Sequence, residues 1–440
     1  MQQYFHQLAD FLTSCLRGAE QYKCWLESES SDFVRFNRGA IRQPGHVQQL
    51  VLAVDLLDGK RHASATLSLS GAFDADRLIL ESAVNRLREQ VAQLPEDPHL
   101  LIATEVHSTS HIEASRLPSG AAMVEEILDA AKGLDLVGFL ATGPIYRGFA
   151  NSFGQRNWHE TSSFSFDWSL YQTRDKAVKA SYAGMNWDSA AFRSKFAAAA
   201  EQLEYLGRKP VSIKPGNYRA YLAPAALYEL VGMLNWDGLS EKALRTKQSS
   251  LRRMHLEGLQ FHPSITLREN TAGGLAPGFQ AEGFIKPDCV PLIENGRLVG
   301  SMISPRTARE YGIEANGAEA GEAMYSIDLA PGELPVSRVL QELDTGVWIS
   351  NLWYLNFSDR ANCRITGMTR FASFWVEKGE IKAPLNVMRF DDSLLRILGD
   401  KLLGLTRERE MLVDDNTYGG RQTGSTCLPG ALVKDFIFVL

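Results

Sequence analysis

One short stretch of the 440-residue chain places a carboxylate where it could take part in hydrolysis. The stretch is Tyr228-Glu229-Leu230-Val231-Gly232-Met233. A zinc peptidase needs about three protein ligands, an open position for water, and a carboxylate that takes the proton of that water. Glu229 could supply the carboxylate. Tyr228 and Met233 do not suit zinc. The pKa of a phenol is about 10, so tyrosine keeps its proton near neutral pH, and a thioether is a soft ligand.

The element that must position this stretch can be predicted from apolar spacing. Apolar residues recur at helical intervals between Tyr221 and Trp236, and we call this predicted helix the motif helix. Pro224 suits its first turn, where a missing N–H has no cost. Residues five apart on a regular helix lie about 140° apart around the axis. Helix geometry alone therefore does not bring Tyr228 and Met233 to one site.

The rest of the chain predicts an α+β fold in two domains. Helices and antiparallel strands mix before Gly207-Arg208-Lys209-Pro210, whereas short strands and Gly/Pro turns dominate after it. We therefore predict an N-terminal α+β domain, 1–207, and a C-terminal antiparallel β-rich domain, 208–440, around the motif helix. Alternating aromatic and polar residues over Thr161–Tyr171 predict a strand exposed on one face. Ser393–Leu403 predicts a helix.

Composition excludes several function classes. The formal net charge of −6 argues against DNA as a main partner, because a duplex requires a basic face. No apolar run is long enough to cross a bilayer, and the N-terminus lacks a signal-peptide pattern. The five cysteines form no C-x-x-C pair. We expect a soluble cytoplasmic protein with reduced thiols and neither a nucleic-acid nor a membrane partner.

Other histidines could bind a metal, but their contexts favour ordinary roles. His107 and His111 are four residues apart in a Ser/Thr-rich segment that we predict to be a loop. His159 lacks a second histidine at the spacing of a zinc helix. His255 and His262 are interpreted as exposed loop residues. The basic run from residue 245 to 253 predicts a solvated helix face, which could also meet an acidic partner.

Several stretches, in order along the chain, resemble the TldD/PmbA (TldD/TldE) metallopeptidase family, also called "modulator of DNA gyrase". The residues from Tyr228 to Met233 resemble its H-E-x-x-x-H zinc helix with both histidines replaced. The supporting stretches are Asp32–Ile41, Ala150–Gly154 (the N-S-x-G turn), Gly216–Pro224, Ala281–Gly283 with Pro291–Gly296 (D-E-G…L-I-E-x-G), Thr345–Val347 with Phe374–Ile381 (T-G…F-x-x-E-N-G-E-I of the TldE/PmbA branch), and Thr423–Pro429.

This resemblance implies which residues would do the chemistry. In the TldD branch, both histidines and a later cysteine bind zinc, and the glutamate is the base. Here Tyr228 and Met233 occupy the histidine positions, and the segment Asp414–Gln422 lacks the cysteine. Cys427 lies beyond it, so the ligand role is not transferred. We therefore expect no metal and no cofactor, with Glu229 at the catalytic position of a degenerate, inactive motif.

The resemblance also implies a partnership. The first interpretation is a zinc-free subunit that pairs with a TldD-type peptidase, or with itself, and shapes a chamber for an unstructured peptide. Two alternatives stay open: an active zinc metallopeptidase with non-family ligands, and a stand-alone peptide-binding protein. Aromatic residues crowd the C-terminal half and suit a dimer interface. They are Trp348, Trp353, Tyr354, Phe357, Phe371, Phe374 and Trp375.

Overall fold

The structure is a computed structural model that describes residues 1–173 and 175–439. The strands of each half of the described chain form a sheet of their own, and helices accompany both sheets. This arrangement confirms the predicted α+β class and the β-rich C-terminal half. No described strand belongs to both sheets. The boundary between 1–207 and 208–440 stays a prediction. Arg174 and Leu440, which fall inside the two predicted domains, lie outside the described residues.

The first sheet is built from the N-terminal half. Its strands are β1 (Gln21–Asn37), β2 (Ala40–Asp58), β3 (Arg61–Leu69), β4 (Thr109–Ile112), β5 (Asp135–Asn151), β6 (Arg156–Thr173) and β7 (Lys176–Gly184). Their order is β3-β2-β1-β5-β6-β4, and β7 also pairs with β6. The β4–β6 pair is parallel, whereas the other pairs are antiparallel.

Four helices accompany this sheet in the described residues. They are α1 (Gln2–Cys15), α2 (Phe73–Val91), α3 (Gly120–Ala130) and α4 (Ser189–Leu206). Helices α1 and α2 pack over one end of the sheet, where Phe5 meets Trp158 of β6. Helices α3 and α4 pack over the other end, where Phe192 meets Phe166. Trp158 and Phe166 are even-numbered residues of one strand, so both helix pairs cover the same face.

The opposite face of β6 packs against the C-terminal half. Nε2 of His159 lies 3.1 Å from the carbonyl oxygen of Leu275, and Ser163 accepts a hydrogen bond from Arg421. The prediction that Thr161–Tyr171 exposes one face is therefore wrong for its first part, because residues 161–166 are buried on both faces. Polar side chains on this strand face the C-terminal half of the chain instead of solvent.

The second sheet is built from the C-terminal half. Its strands are β8 (Gly216–Leu222), β9 (Leu267–Glu269), β10 (Val290–Glu294), β11 (Arg297–Leu298), β12 (Ser326–Leu329), β13 (Gly346–Asp359), β14 (Arg364–Glu377), β15 (Glu380–Pro384), β16 (Arg389–Ser393), β17 (Leu402–Val413) and β18 (Ser425–Phe438). Pairing is mostly antiparallel, with parallel β8–β13 and β12–β18 pairs. Because β8 pairs with both β13 and β18, the strands β18-β16-β14-β13-β8 close into a ring.

Short helices join these strands. They are α5 (Pro224–Gly232), α6 (Glu241–Arg245), α7 (Arg252–Glu257), α8 (Pro305–Tyr311), α9 (Val339–Leu343) and α10 (Leu394–Ile397). The prediction of a helix over Ser393–Leu403 is wrong after Ile397, where α10 ends. The backbone turns at Gly399, where an added Cβ would lie 2.1 Å from the carbonyl oxygen of Leu395, and β17 begins at Leu402. Within the described residues, no helix is long and apolar enough to span a bilayer.

Candidate functional site

The motif helix is α5 followed by a 3₁₀ turn, Met233–Asn235. The predicted helix is confirmed, although its regular part is shorter than Tyr221–Trp236. Pro224 occupies the first turn, and the backbone N–H of Ala223 donates to Ile349 of β13 at 2.9 Å. One side of α5 is buried in the core of the second sheet, and its residues are Ala226, Leu227, Leu230 and Val231.

The other side of α5 faces a cleft. Ala225, Tyr228 and Glu229 line this cleft, as residues three and four apart on one helix face should. Met233 does not join them. It is only 4% exposed and packs in the core of the second sheet. The spacing of five residues places Met233 away from Tyr228 around the helix.

The cleft lies between the two halves of the chain. We call it the motif cleft; it measures about 130 Å³ and is bordered by β6 and β7 on one side and by α5 and the end of β17 on the other. Asp167, Lys179 and Asp415 also border an adjoining cavity of about 430 Å³. Charged lining residues are the carboxylates Asp167, Glu229, Asp414 and Asp415 and the ammonium of Lys179. The motif cleft is therefore acidic and suits a cationic group.

Protein surroundings shift the pKa values of three cleft residues. Glu229 is exposed at the cleft wall, yet desolvation raises the pKa of its carboxyl, and Asp415 adds to this rise. Desolvation and the charge of Asp415 raise the pKa of Asp167 to about 6. The half-buried Tyr228 has its pKa raised to about 12 by desolvation and then by Asp414 and Glu229. Each of these three groups therefore keeps its proton to a higher pH than it would in water.

The residues at the family's ligand positions do not fit zinc. A tyrosine ligand must lose its proton, and the raised pKa of Tyr228 opposes that loss. Met233 faces the core. Cys427 lies in β18 opposite Met411, outside the lining of the motif cleft, and burial raises the pKa of its thiol. Within residues 1–173 and 175–439, no group of three or more His, Cys, Asp or Glu residues could hold a metal ion.

The other predicted metal candidates lie elsewhere. The segment predicted as a loop contains β4, which includes His111, and this ring stacks on His159 with centroids 5.1 Å apart. His107 instead contacts Glu105. The loop prediction is wrong for His255, which lies in the last turn of α7, whereas His262 lies outside the helices and contacts Ser264. The basic run does not form one helix face, because Arg245 ends α6 and Arg252 begins α7. Its arginines form surface ion pairs, Arg245 with Glu241 and Arg253 with Glu257.

Sequence analysis assigned no role in a site to four charged cleft residues. Asp414 and Asp415 form an adjacent acidic pair after β17, a signal that could have been noted. Asp167 gave no such signal, because its role depends on which face of β6 meets the other half. Lys179 also reaches the cleft only through the β6–β7 pairing. The site is therefore assembled by long-range packing as well as by the motif.

Comparison with known families matches residues 215–439 to the PmbA/TldA metallopeptidase C-terminal domain. The matched segment includes α5, β17 and β18. A comparison with curated proteins finds no match. The chain belongs to the TldD/PmbA family, because this model covers more than half of its length.

Solved structures share the whole fold. TldE from Thermococcus kodakarensis is 14% identical, with a TM-score of 0.78 over 99% of this chain and 100% of that one. A candidate modulator of a DNA gyrase from Thermotoga maritima is 16% identical, with a TM-score of 0.72 over 99% and 100%. A similar protein from Bacteroides thetaiotaomicron is 15% identical, with a TM-score of 0.74 over 99% and 98%. At these identities the likeness establishes the fold alone.

Proposed function

We propose that this chain is the zinc-free, non-catalytic subunit of a peptidase and pairs with a zinc-bearing TldD-type subunit. The observation that carries the proposal is the position of Met233 in the protein core, away from Tyr228 in the motif cleft. A metal held by α5 would need two ligands that point into one space. The structural likeness to a TldE agrees with this assignment.

Glu229 then has no metal-bound water to deprotonate. It remains one of the carboxylates of the motif cleft, where it contributes negative charge beside Asp167 and Asp415. Such a cleft favours the amino terminus or a basic side chain of an unstructured peptide. In this role the subunit holds peptide while its partner supplies the hydrolytic site.

Co-expression with a TldD-type subunit from the same genome tests the proposal. We expect a complex in which zinc, measured by elemental analysis, is about one ion per pair, and in which the isolated chain contains none. Cleavage of an unstructured peptide should require the complex. Glu229→Gln in this chain should reduce cleavage far less than the same substitution in the partner's motif, because only the partner glutamate has a metal-bound water.

Two outcomes would favour the alternatives. One zinc per isolated chain, with cleavage that Glu229→Gln abolishes, would identify an active metallopeptidase with other ligands. Peptide binding by an isolated chain that forms no complex in light scattering would identify a stand-alone peptide-binding protein.

A further inference from the structure

The cavity that adjoins the motif cleft carries two arginine side chains. It measures about 430 Å³, within the usual range for ligand sites, and we call it the arginine cavity. Arg35 of β1 and Arg42 of β2 line it. Neither of them lines the motif cleft, whereas Asp167, Lys179 and Asp415 line both spaces. The two spaces therefore share one wall, and the arginines lie at the end that α5 does not reach.

The register of the first sheet places Arg35 and Asp167 on one face. Arg35 is opposite Phe139 of β5, and Phe139 is opposite Asp167 of β6. Because neighbouring strands lie about 5 Å apart, the backbones of Arg35 and Asp167 are about 10 Å apart. The guanidinium carbon of Arg35 lies 5.7 Å from the centre of the Phe139 ring. This contact holds the side chain without a hydrogen-bond acceptor, so its N–H donors stay available to a ligand.

A β-bulge brings Arg42 to the same cavity. Arg35 pairs with Gln43, and Phe36 pairs with Ile41, so Arg42 is an extra residue of β2. In regular antiparallel pairing Arg42 would instead be opposite Phe36, which is buried on the face that the helices cover. Bulges redirect side chains in this way and are frequent beside functional sites. The bulge thus gives the arginine cavity its second guanidinium.

Neither arginine has a charged partner in the described chain. Within residues 1–173 and 175–439, no carboxylate lies within ion-pair distance of Arg35 or Arg42, and neither side chain donates a hydrogen bond. Arg364, another strand arginine, by contrast pairs with Asp391 at 2.6 Å. Two unpaired guanidiniums in one cavity attract an anion, and the planar fork of an arginine matches a carboxylate.

Charges of opposite sign are segregated along the two spaces. The carboxylates of Glu229 and Asp414 line only the motif cleft, whereas both guanidiniums line only the arginine cavity. The shared wall carries the carboxylates of Asp167 and Asp415 and the ammonium of Lys179, which balance each other in part. A ligand with an ammonium group and a carboxylate therefore meets opposite charges in one orientation, with its carboxylate in the arginine cavity.

We propose that Arg35 and Arg42 bind a carboxylate of the peptide whose ammonium group lies in the motif cleft, and so select peptides by charge. The separation of about 10 Å corresponds to about three extended residues between the positive and the negative group. The carboxylate is either the free C-terminus of a short peptide or an acidic side chain. This inference rests on the peptide-holding role proposed above and adds the charge pattern of the peptide.

Isothermal titration calorimetry of the full chain with two pairs of peptides tests the proposal. Lys-Ala-Ala ends in a free carboxylate, and Lys-Ala-Ala-amide is its neutral control. Lys-Ala-Glu-amide carries only a side-chain carboxylate, and Lys-Ala-Gln-amide is its neutral control. We expect a carboxylate peptide to bind with a Kd below about 1 mM and at least about fivefold more tightly than its control. The pair that shows this preference identifies the source of the carboxylate.

A double variant assigns the preference to the two arginines. Arg35→Gln with Arg42→Gln should reduce it to less than about twofold, while the amide peptides keep their affinity because the motif cleft is unchanged. Both side chains are exposed, so Tm should not fall. Arg38→Gln, at an exposed arginine of the same hairpin outside the cavity lining, is the matched control and should keep the full preference. If the double variant fails to fold, each single glutamine variant should reduce the preference at least about twofold.

Equal affinities for the carboxylate and amide peptides, a preference that survives in the arginine variants, or absence of binding by every peptide would overturn the proposal. Equal affinities with a Kd below about 1 mM would leave the peptide-holding role in place and remove only the selection by charge. Absence of all binding, also by the complex with a TldD-type subunit, would remove the peptide-holding role as well.

Discussion

The guanidinium of Arg421 donates hydrogen bonds of 2.7 Å to both the carbonyl and the hydroxyl oxygen of Ser163 in β6. The same guanidinium donates to Gly143 at 2.9 Å, and the carbonyl oxygen of Arg421 accepts from Arg147 at 3.1 Å. These bonds fasten the loop between β17 and β18 to the first sheet. Asp414 and Asp415 begin that loop, so Arg421 helps to position the acidic wall of the motif cleft.

Removing this side chain should therefore weaken the whole protein. We expect Arg421→Met to lower the free energy of unfolding by about 3 kcal/mol, because several buried acceptors lose a charged donor. Urea unfolding checks this value. Arg407→Met, on the exposed part of β17, is the control and should change stability by less than about 0.5 kcal/mol. A loss below about 1 kcal/mol for Arg421→Met would contradict the fastening role.

A pH-dependent effect is expected at Asp167. Its pKa is raised from 3.8 to about 6, so the folded state binds a proton more tightly than the unfolded state. Stability from this group is therefore present below about pH 4 and is lost as the pH rises to about 6. Asp167→Asn should be more stable than the wild type at pH 7 by on the order of 2 kcal/mol, and equal to it below pH 4.

Urea unfolding of both proteins across this pH range gives the difference that isolates Asp167 from other titrating groups. Asp10→Asn, a change at an exposed carboxylate, serves as the control and should show no comparable difference. A wild-type advantage at pH 7 would mean that Asp167 is stabilised as a carboxylate by a cation, and would contradict the desolvation account.

The sequence predicted local features better than long-range ones. Pro224 and the apolar spacing predicted α5, and helix geometry alone gave no reason for Tyr228 and Met233 to share a site. The exposed face predicted for Thr161–Tyr171 was wrong over residues 161–166, because alternating polar residues suit a polar contact with the other half of the chain as well as they suit water. Asp167 was missed for the same reason. The helix predicted through Leu403 failed where a glycine ends α10, since apolar runs suit helices and strands alike.

Restoring the family's histidines should not restore zinc. In the double variant Tyr228→His and Met233→His, the first imidazole would face the motif cleft and the second the core. We expect no zinc by elemental analysis and no rise in Tm on adding zinc. Met233→His alone should lower stability by about 2–4 kcal/mol, because a polar ring replaces a buried thioether.

Met233→Leu is the matched control and should cost less than about 1.5 kcal/mol, because it conserves volume and polarity. One zinc ion per chain in the double variant, with a zinc-dependent rise in Tm, would show that position 233 can turn into the motif cleft. That result would contradict the structural reason given for a zinc-free subunit.

Dimer formation should depend on an exposed aromatic pair in β13. Trp353 and Tyr354 are 49% and 76% exposed, and the guanidinium carbon of Arg370 lies 4.7 Å from the centre of the Trp353 ring. Phe374, another residue of the predicted aromatic set, is fully buried and belongs to the core. Large exposed aromatic side chains, together with arginine, are typical of residues that dominate interface energies.

We expect the isolated chain to form a homodimer at micromolar concentration and a heterodimer when a TldD-type subunit is co-expressed. Trp353→Ser with Tyr354→Ser should weaken dimerisation at least about thirtyfold, the equivalent of about 2 kcal/mol, in light scattering across a dilution series. Tyr418→Ser, at an exposed aromatic residue in the β17–β18 loop, is the control and should leave the dimer intact. A strict monomer, or a dimer that the double serine variant leaves unchanged, would remove β13 from the interface.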